Sequence, residues 1–84
     1  MKRAKIDRHT SRKLVRSVLS EVAATHGLTE ADLLVRDKHK PAVTARHEAW
    51  AICYRLGLTH EAIASVGGWD NSTVREGVRM AACR

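Results

Sequence analysis

Between Asp70 and Arg79 the chain carries two carboxylates, an amide, two hydroxyls and two guanidinium groups: Asp70, Asn71, Ser72, Thr73, Arg75, Glu76 and Arg79. These groups suit recognition by hydrogen bonding more than turnover. Arginine offers a planar fork that bonds guanine or phosphate bidentately, and asparagine pairs in the same way with adenine. Serine and threonine hydroxyls at a helix start can reach phosphate or base edges. Other chemistries find less support. Glu48, Glu61 and Glu76 fall on different elements with no nucleophile–base pairing, so no enzyme and no small-molecule substrate are expected. His9, His26, His39, His47, His60, Cys53 and Cys83 form neither a Cys-x-x-Cys nor a His-x-x-x-His pattern, so no metal or cofactor is expected.

The elements that must position these groups are helices. Met1 to Arg8 is a basic lead with too few apolar residues to fold alone, and residues 1–9 are expected to form a flexible basic arm. Thr10 or Ser11 is placed to cap a first helix, whose stripe is Leu14, Val15, Val18, Leu19 and Val22. Gly27 closes it. Thr29 and Asp32 form a capping box for a short second helix, with Leu28 and Leu33 as a staple. Arg36 and the Asp37–Lys40 stretch read as a basic loop, and Pro41 fits the first turn of a third helix. Ala42, Ala45, Ala49, Ile52, Cys53 and Leu56 share one face of that helix, which Gly57 ends.

Thr59 caps a fourth helix, with Leu58 and Ile63 as its staple pair. Gly67-Gly68 allows a tight turn with positive φ, and Asp70 is placed to cap the fifth helix with its side chain. In that last helix Val74, Gly77, Val78 and Ala81 share one face by 100° steps. Ser72, Arg75, Glu76 and Arg79 lie opposite, with Thr73 at the edge. A capped pair of helices with an arginine face is the layout of a helix-turn-helix. The expected fold is all-α, about five helices, with residues 10–84 as one helix-turn-helix domain.

Composition agrees. The chain has 84 residues, no Phe and only Trp50, Trp69 and Tyr54 as aromatics, so Leu, Val, Ile and Ala must fill its core. The net charge of +6 suggests an anionic partner. Two cysteines suggest a reducing compartment, and neither a secretory leader nor a membrane-spanning run is present, so the expected location is cytoplasmic. Cys53 reads as a small core residue and Cys83 as an exposed thiol. The first helix's apolar stripe reads as core rather than a membrane-binding face.

The string Gly67-Gly68-Trp69-Asp70-Asn71-Ser72-Thr73-Val74 resembles the Gly-Gly-Arg-Asp-His-Thr/Ser-Thr-Val signature of the C-terminal DNA-binding domain of the bacterial replication initiator DnaA. Ala45-Arg46-His47-Glu48-Ala49-Trp50 is similar to that family's Pro-Arg-Gln-x-Ala-Met stretch. The Val22–Leu34 segment resembles its helix, Gly-Val and Asp-Leu-Leu segment. The resemblance runs from about Ser11 to Ala82 and implies a Trp-repressor-like helical fold that binds double-stranded DNA. It implies DNA contacts for Asp70, Ser72 and Thr73 in or beside the major groove. Arg46 matches a basic residue opening the central helix, and Arg36, Lys38 and Lys40 occupy the basic loop that reaches the minor groove. Two residues depart from the pattern: Trp69 stands where the family has Arg, and Asn71 where it has His. The resemblance therefore does not carry over the initiator's box as the preferred sequence. Trp69 reads either as a core plug or as a contact to sugar or thymine methyl, with the plug favoured because large aromatics usually pack.

No phosphate-binding Gly-x-x-x-x-Gly-Lys-Ser/Thr loop occurs, so the expectation is a stand-alone binding domain without ATPase activity, of the kind a phage or accessory regulator would use. It would act as a monomer in replication or transcription regulation. The competing expectation is a helix-turn-helix fold that binds a replication or transcription factor instead. The lack of a large exposed apolar stripe argues against it.

Overall fold

In a computed structural model, which describes residues 7–34 and 40–83, the same punctuation recurs three times. Gly27-Leu28-Thr29, Gly57-Leu58-Thr59 and Gly68-Trp69-Asp70 each end one helix, dock an apolar side chain and open the next helix. The five helices are α1 (Arg8–Thr25), α2 (Glu30–Leu34), α3 (Lys40–Arg55), α4 (His60–Gly67) and α5 (Asn71–Ala82). No strand occurs among the described residues, so the fold is all-α.

The closures have a common geometry. Gly68 has φ +69°, a region that costs an L side chain about 1–2 kcal/mol. From there the Trp69 N–H donates back to the Ala64 carbonyl at 3.0 Å, and the indole turns onto the core. At the end of α1 the Leu28 N–H reaches Ala23 at 2.7 Å, and after α3 the Leu58 N–H reaches Cys53 at 3.2 Å. These bonds satisfy terminal carbonyls that the helix leaves unpaired.

The openings are specified just as locally. Thr29 and Asp32 form the expected capping box, with the Thr29 N–H on Asp32 Oδ2 at 2.8 Å and the Asp32 N–H on Thr29 Oγ1 at 3.3 Å. The Thr29 backbone N–H, and then its hydroxyl, hold the Asp32 carboxyl below its ordinary value. Thr59 accepts from the Ala62 N–H at 3.0 Å. The opening of α1 differs from expectation. Its cap is Asp7, whose carboxylate accepts from the Thr10 N–H at 3.3 Å. Thr10 lies inside the helix and Ser11 is buried. Helix α1 thus begins within the stretch read as a flexible arm, because Asp7 is itself a favoured capping residue and its carboxylate sits three residues upstream of the Thr10 N–H.

Helix α3 is the hub, packed mainly on α5 and α1 and also on α2 and α4. Ala42, Ala45 and Ala49 on α3, with Ala23 and Ala64 opposite, are all buried. Such small side chains let backbones approach, and Trp50, Leu19, Leu33, Leu58 and Ile63 fill the remaining volume. Because α3 is covered on several sides, its buried set is wider than the single stripe in its sequence. Trp50 and Ala51 are buried, Ile52 is half-buried, and Leu56 lies in the closing turn with half its surface in water. No described helix is long and apolar enough to cross a membrane.

Candidate nucleic-acid interface

One side of α5 is anchored and the other is open. Val74 and Gly77 are buried, Val78 packs on the core and Ala81 is half-buried. Asp70, Asn71, Ser72, Thr73, Arg75, Glu76 and Arg79 are all exposed. The division follows the 100° step that the sequence predicts.

Asp70 stands at the N-cap with φ −76° and ψ 145°, but its side chain makes no cap hydrogen bond. The expected side-chain cap is therefore not formed; only the Asp70 carbonyl takes part, accepting from the Val74 N–H at 3.0 Å. The first-turn N–H groups of α5 consequently lack a side-chain acceptor, at the end where the helix carries partial positive charge. Asn71, Ser72, Thr73 and Arg75 make no side-chain hydrogen bond or ion pair among the described residues.

The two arginines of this face differ. Arg79 Nη2 contacts both carboxylate oxygens of Glu76, at 2.7 and 2.6 Å, and the Glu76 hydrogen bond raises the Arg79 pKa above its ordinary value. Its charge is already matched. Arg75 carries the uncommitted guanidinium of the pair.

The remaining predicted cations divide in the same way. Lys40 is exposed at the first residue of α3. Arg36 and Lys38 lie outside the described residues. Arg46, the DNA-contact candidate on the central helix, is buried. It is only 7% exposed, and its Nε donates to the Leu33 carbonyl at 2.8 Å. There it satisfies the C-terminus of α2 and ties it to α3, at a site where a guanidinium's donors suit a carbonyl shielded from water.

Trp69 is the core plug of its two alternatives. Its ring meets Trp50 edge-on, with centroids 5.0 Å apart and planes at 66°, a favourable arrangement for two aromatic quadrupoles. His47 tilts over Trp50 at 5.5 Å. Both indole N–H groups are buried without a hydrogen-bond partner. Neither the role of Trp50 nor that of Gly77 beside it was read from the sequence. An interior helical glycine, about 1 kcal/mol worse than alanine, was the available signal.

Arg8 and Arg12 on α1 edge a groove of about 400 Å³ with Thr59, the N-cap of α4, and Ser65 of α4. No cluster of His, Cys, Asp or Glu fit to hold a metal occurs among the described residues.

The cysteines occupy opposite environments. Cys53 is fully buried, and burial pushes its thiol from 9.0 up to about 12, while Cys83 is exposed. Ellman's reagent should titrate one thiol per native chain and two after denaturation. The neutral Cys53 thiol favours the fold fully below pH 9, the unfolded value, and that contribution is lost as pH rises towards 12. Two fast thiols in the native protein would contradict the buried assignment.

Comparison with protein-family models, curated proteins and solved structures finds no match to this chain.

Proposed function

We propose that the protein is a sequence-selective double-stranded DNA-binding module in which α4 and α5 act as a helix-turn-helix and α5 enters the major groove. The observation that carries the reading is the open face of α5. Asn71, Ser72, Thr73 and Arg75 are exposed and uncommitted beside an uncapped helix N-terminus, while the opposite face is locked on the core. The reading also accords with the resemblance to the initiator's DNA-binding domain. It extends to a cytoplasmic regulator of replication or transcription that binds as a monomer and has no ATPase activity of its own.

Charge is distributed to match a division of labour. Residues 1–9 and 36–40, read from the sequence as a basic arm and a basic loop, together hold five of the six net positive charges. The rest of the sequence is nearly balanced. In this reading the arm and loop supply attraction to phosphate, and α5 supplies the choice of bases.

Binding of random and selected duplexes at several salt concentrations tests the proposal. With about five phosphates neutralised, log affinity should fall against log salt with a slope near −4 to −5. Replacing Lys2, Arg3 and Lys5 with alanine should reduce that slope by about 2–3 units, at roughly 0.9 per phosphate contact, and leave sequence preference intact. Absence of salt-dependent binding to any duplex would overturn the reading.

A further inference from the structure

Gly77 sits in the middle of α5 with ordinary helical backbone, so its conformation does not require glycine. Its surroundings do. A Cβ built there would collide with Trp50 Cε3 and lie 2.6 Å from Trp50 Cζ3 and 2.8 Å from His47 Cδ2. The Trp50 ring is 1% exposed and cannot swing into solvent. A second socket lies ten residues earlier, at the last residue of α4. A Cβ on Gly67 would meet Trp69 Cζ2 at 2.5 Å, and Trp69 in turn packs edge-on against Trp50. Two indoles in contact thus grip α5 at two places: its midpoint through Gly77, and the residue just before its N-cap through Trp69.

We propose that Trp50, Trp69 and Gly77 are positioning residues that set the pose of α5, and through it the base preference of Asn71 and Arg75, without touching DNA. This inference rests on the DNA-binding reading above. The physical argument is one of scale. An added methyl at Gly77 needs about 1 Å of extra room to reach ordinary van der Waals contact. Hydrogen bonds to base edges hold only within a few tenths of an ångström of 2.9 Å. A helix displaced by that much keeps its flexible, long-range attraction to phosphate and loses its aligned base contacts. Gly77 is therefore expected to act on specificity more than on overall attraction.

The test compares wild type, Gly77→Ala and Gly77→Ala/Trp50→Phe, since phenylalanine lacks the second ring that carries Cε3 and Cζ3. Three quantities are measured: thermal melting, the salt slope, and the ratio of affinities for the best selected duplex and for one with a single base pair changed. Gly77→Ala should lower that ratio about tenfold, the scale of one bidentate base contact, with the salt slope kept. The double variant should recover most of the ratio. Wild-type binding with an unchanged ratio in Gly77→Ala would overturn this proposal alone. So would an unfolded Gly77→Ala chain that Trp50→Phe does not rescue, because the contact would then not be what the glycine serves. An unfolded chain that the second substitution rescues, ratio included, would support it. Wild-type protein that binds no duplex would overturn the functional reading itself.

Discussion

Replacing Trp50 with alanine is expected to cost about 3–5 kcal/mol, the range for removing a large aromatic from a packed core. Trp50 is the largest fully buried side chain and lies on the hub helix α3 in contact with Trp69, His47 and the backbone of α5 at Gly77. The space it would leave is bordered by helices, which collapse only partly into a cavity. A domain of this size holds about 4–13 kcal/mol in total, so the substitution removes a large share of the stability. The midpoint of a thermal melt followed by circular dichroism should fall by roughly 15–30 °C. Trp50→Phe should cost clearly less, since it keeps an aromatic ring and removes an indole N–H that is buried without a partner. A shift below about 5 °C for Trp50→Ala would show that the two-indole cluster does not hold α5 to α3.

The second large effect is on binding. Asn71→Ala with Arg75→Ala should weaken affinity for the selected duplex about a hundredfold, from about 1–3 kcal/mol per well-formed base contact. Affinity for random duplex should fall only by the share of one cation. Both residues are exposed and uncommitted, so the double variant should melt close to wild type, which separates loss of contact from loss of fold. Arg16→Ala is the charge-matched control. Arg16 lies on α1, where its Nε bonds Glu30 at 2.8 Å, and its removal should change both duplexes equally and slightly. If Arg16→Ala weakened the selected complex as much as the double variant does, α5 would not be the reading element.

The parts of this fold legible in the sequence are those governed by neighbours within one helical turn. The Thr29–Asp32 box, the Thr59 cap and the glycine closures each form between residues three to five positions apart. The same holds for the two faces of α5, where a 100° step separates Val74 and Gly77 from Arg75 and Arg79. Even at this range competition misleads. Thr10 and Ser11 are ordinary capping residues, yet Asp7 caps the helix instead, its carboxylate accepting from the Thr10 N–H, and leaves both hydroxyl residues inside the helix. Asp70 has the right type and place for a cap and leaves its side chain out of it.

Taken alone, the sequence determined that the fold is all-α, where its glycine-closed helices stop, where α2 and α4 start, and which side of α5 faces outward. Those properties depend on backbone propensity, local acceptors and periodic apolarity. Tertiary structure alone decided which of the candidate groups are spent and which are available. Arg46 is consumed by the Leu33 carbonyl thirteen residues away. Trp69 is consumed by Trp50, and the glycine at position 77 is explained by a ring on another helix. Burial and pairing across helices depend on how α3 is surrounded, and no periodicity within a single helix encodes that. Arg79 differs only in that its partner, Glu76, is near in sequence, and there the side-chain rotamers decide the pairing.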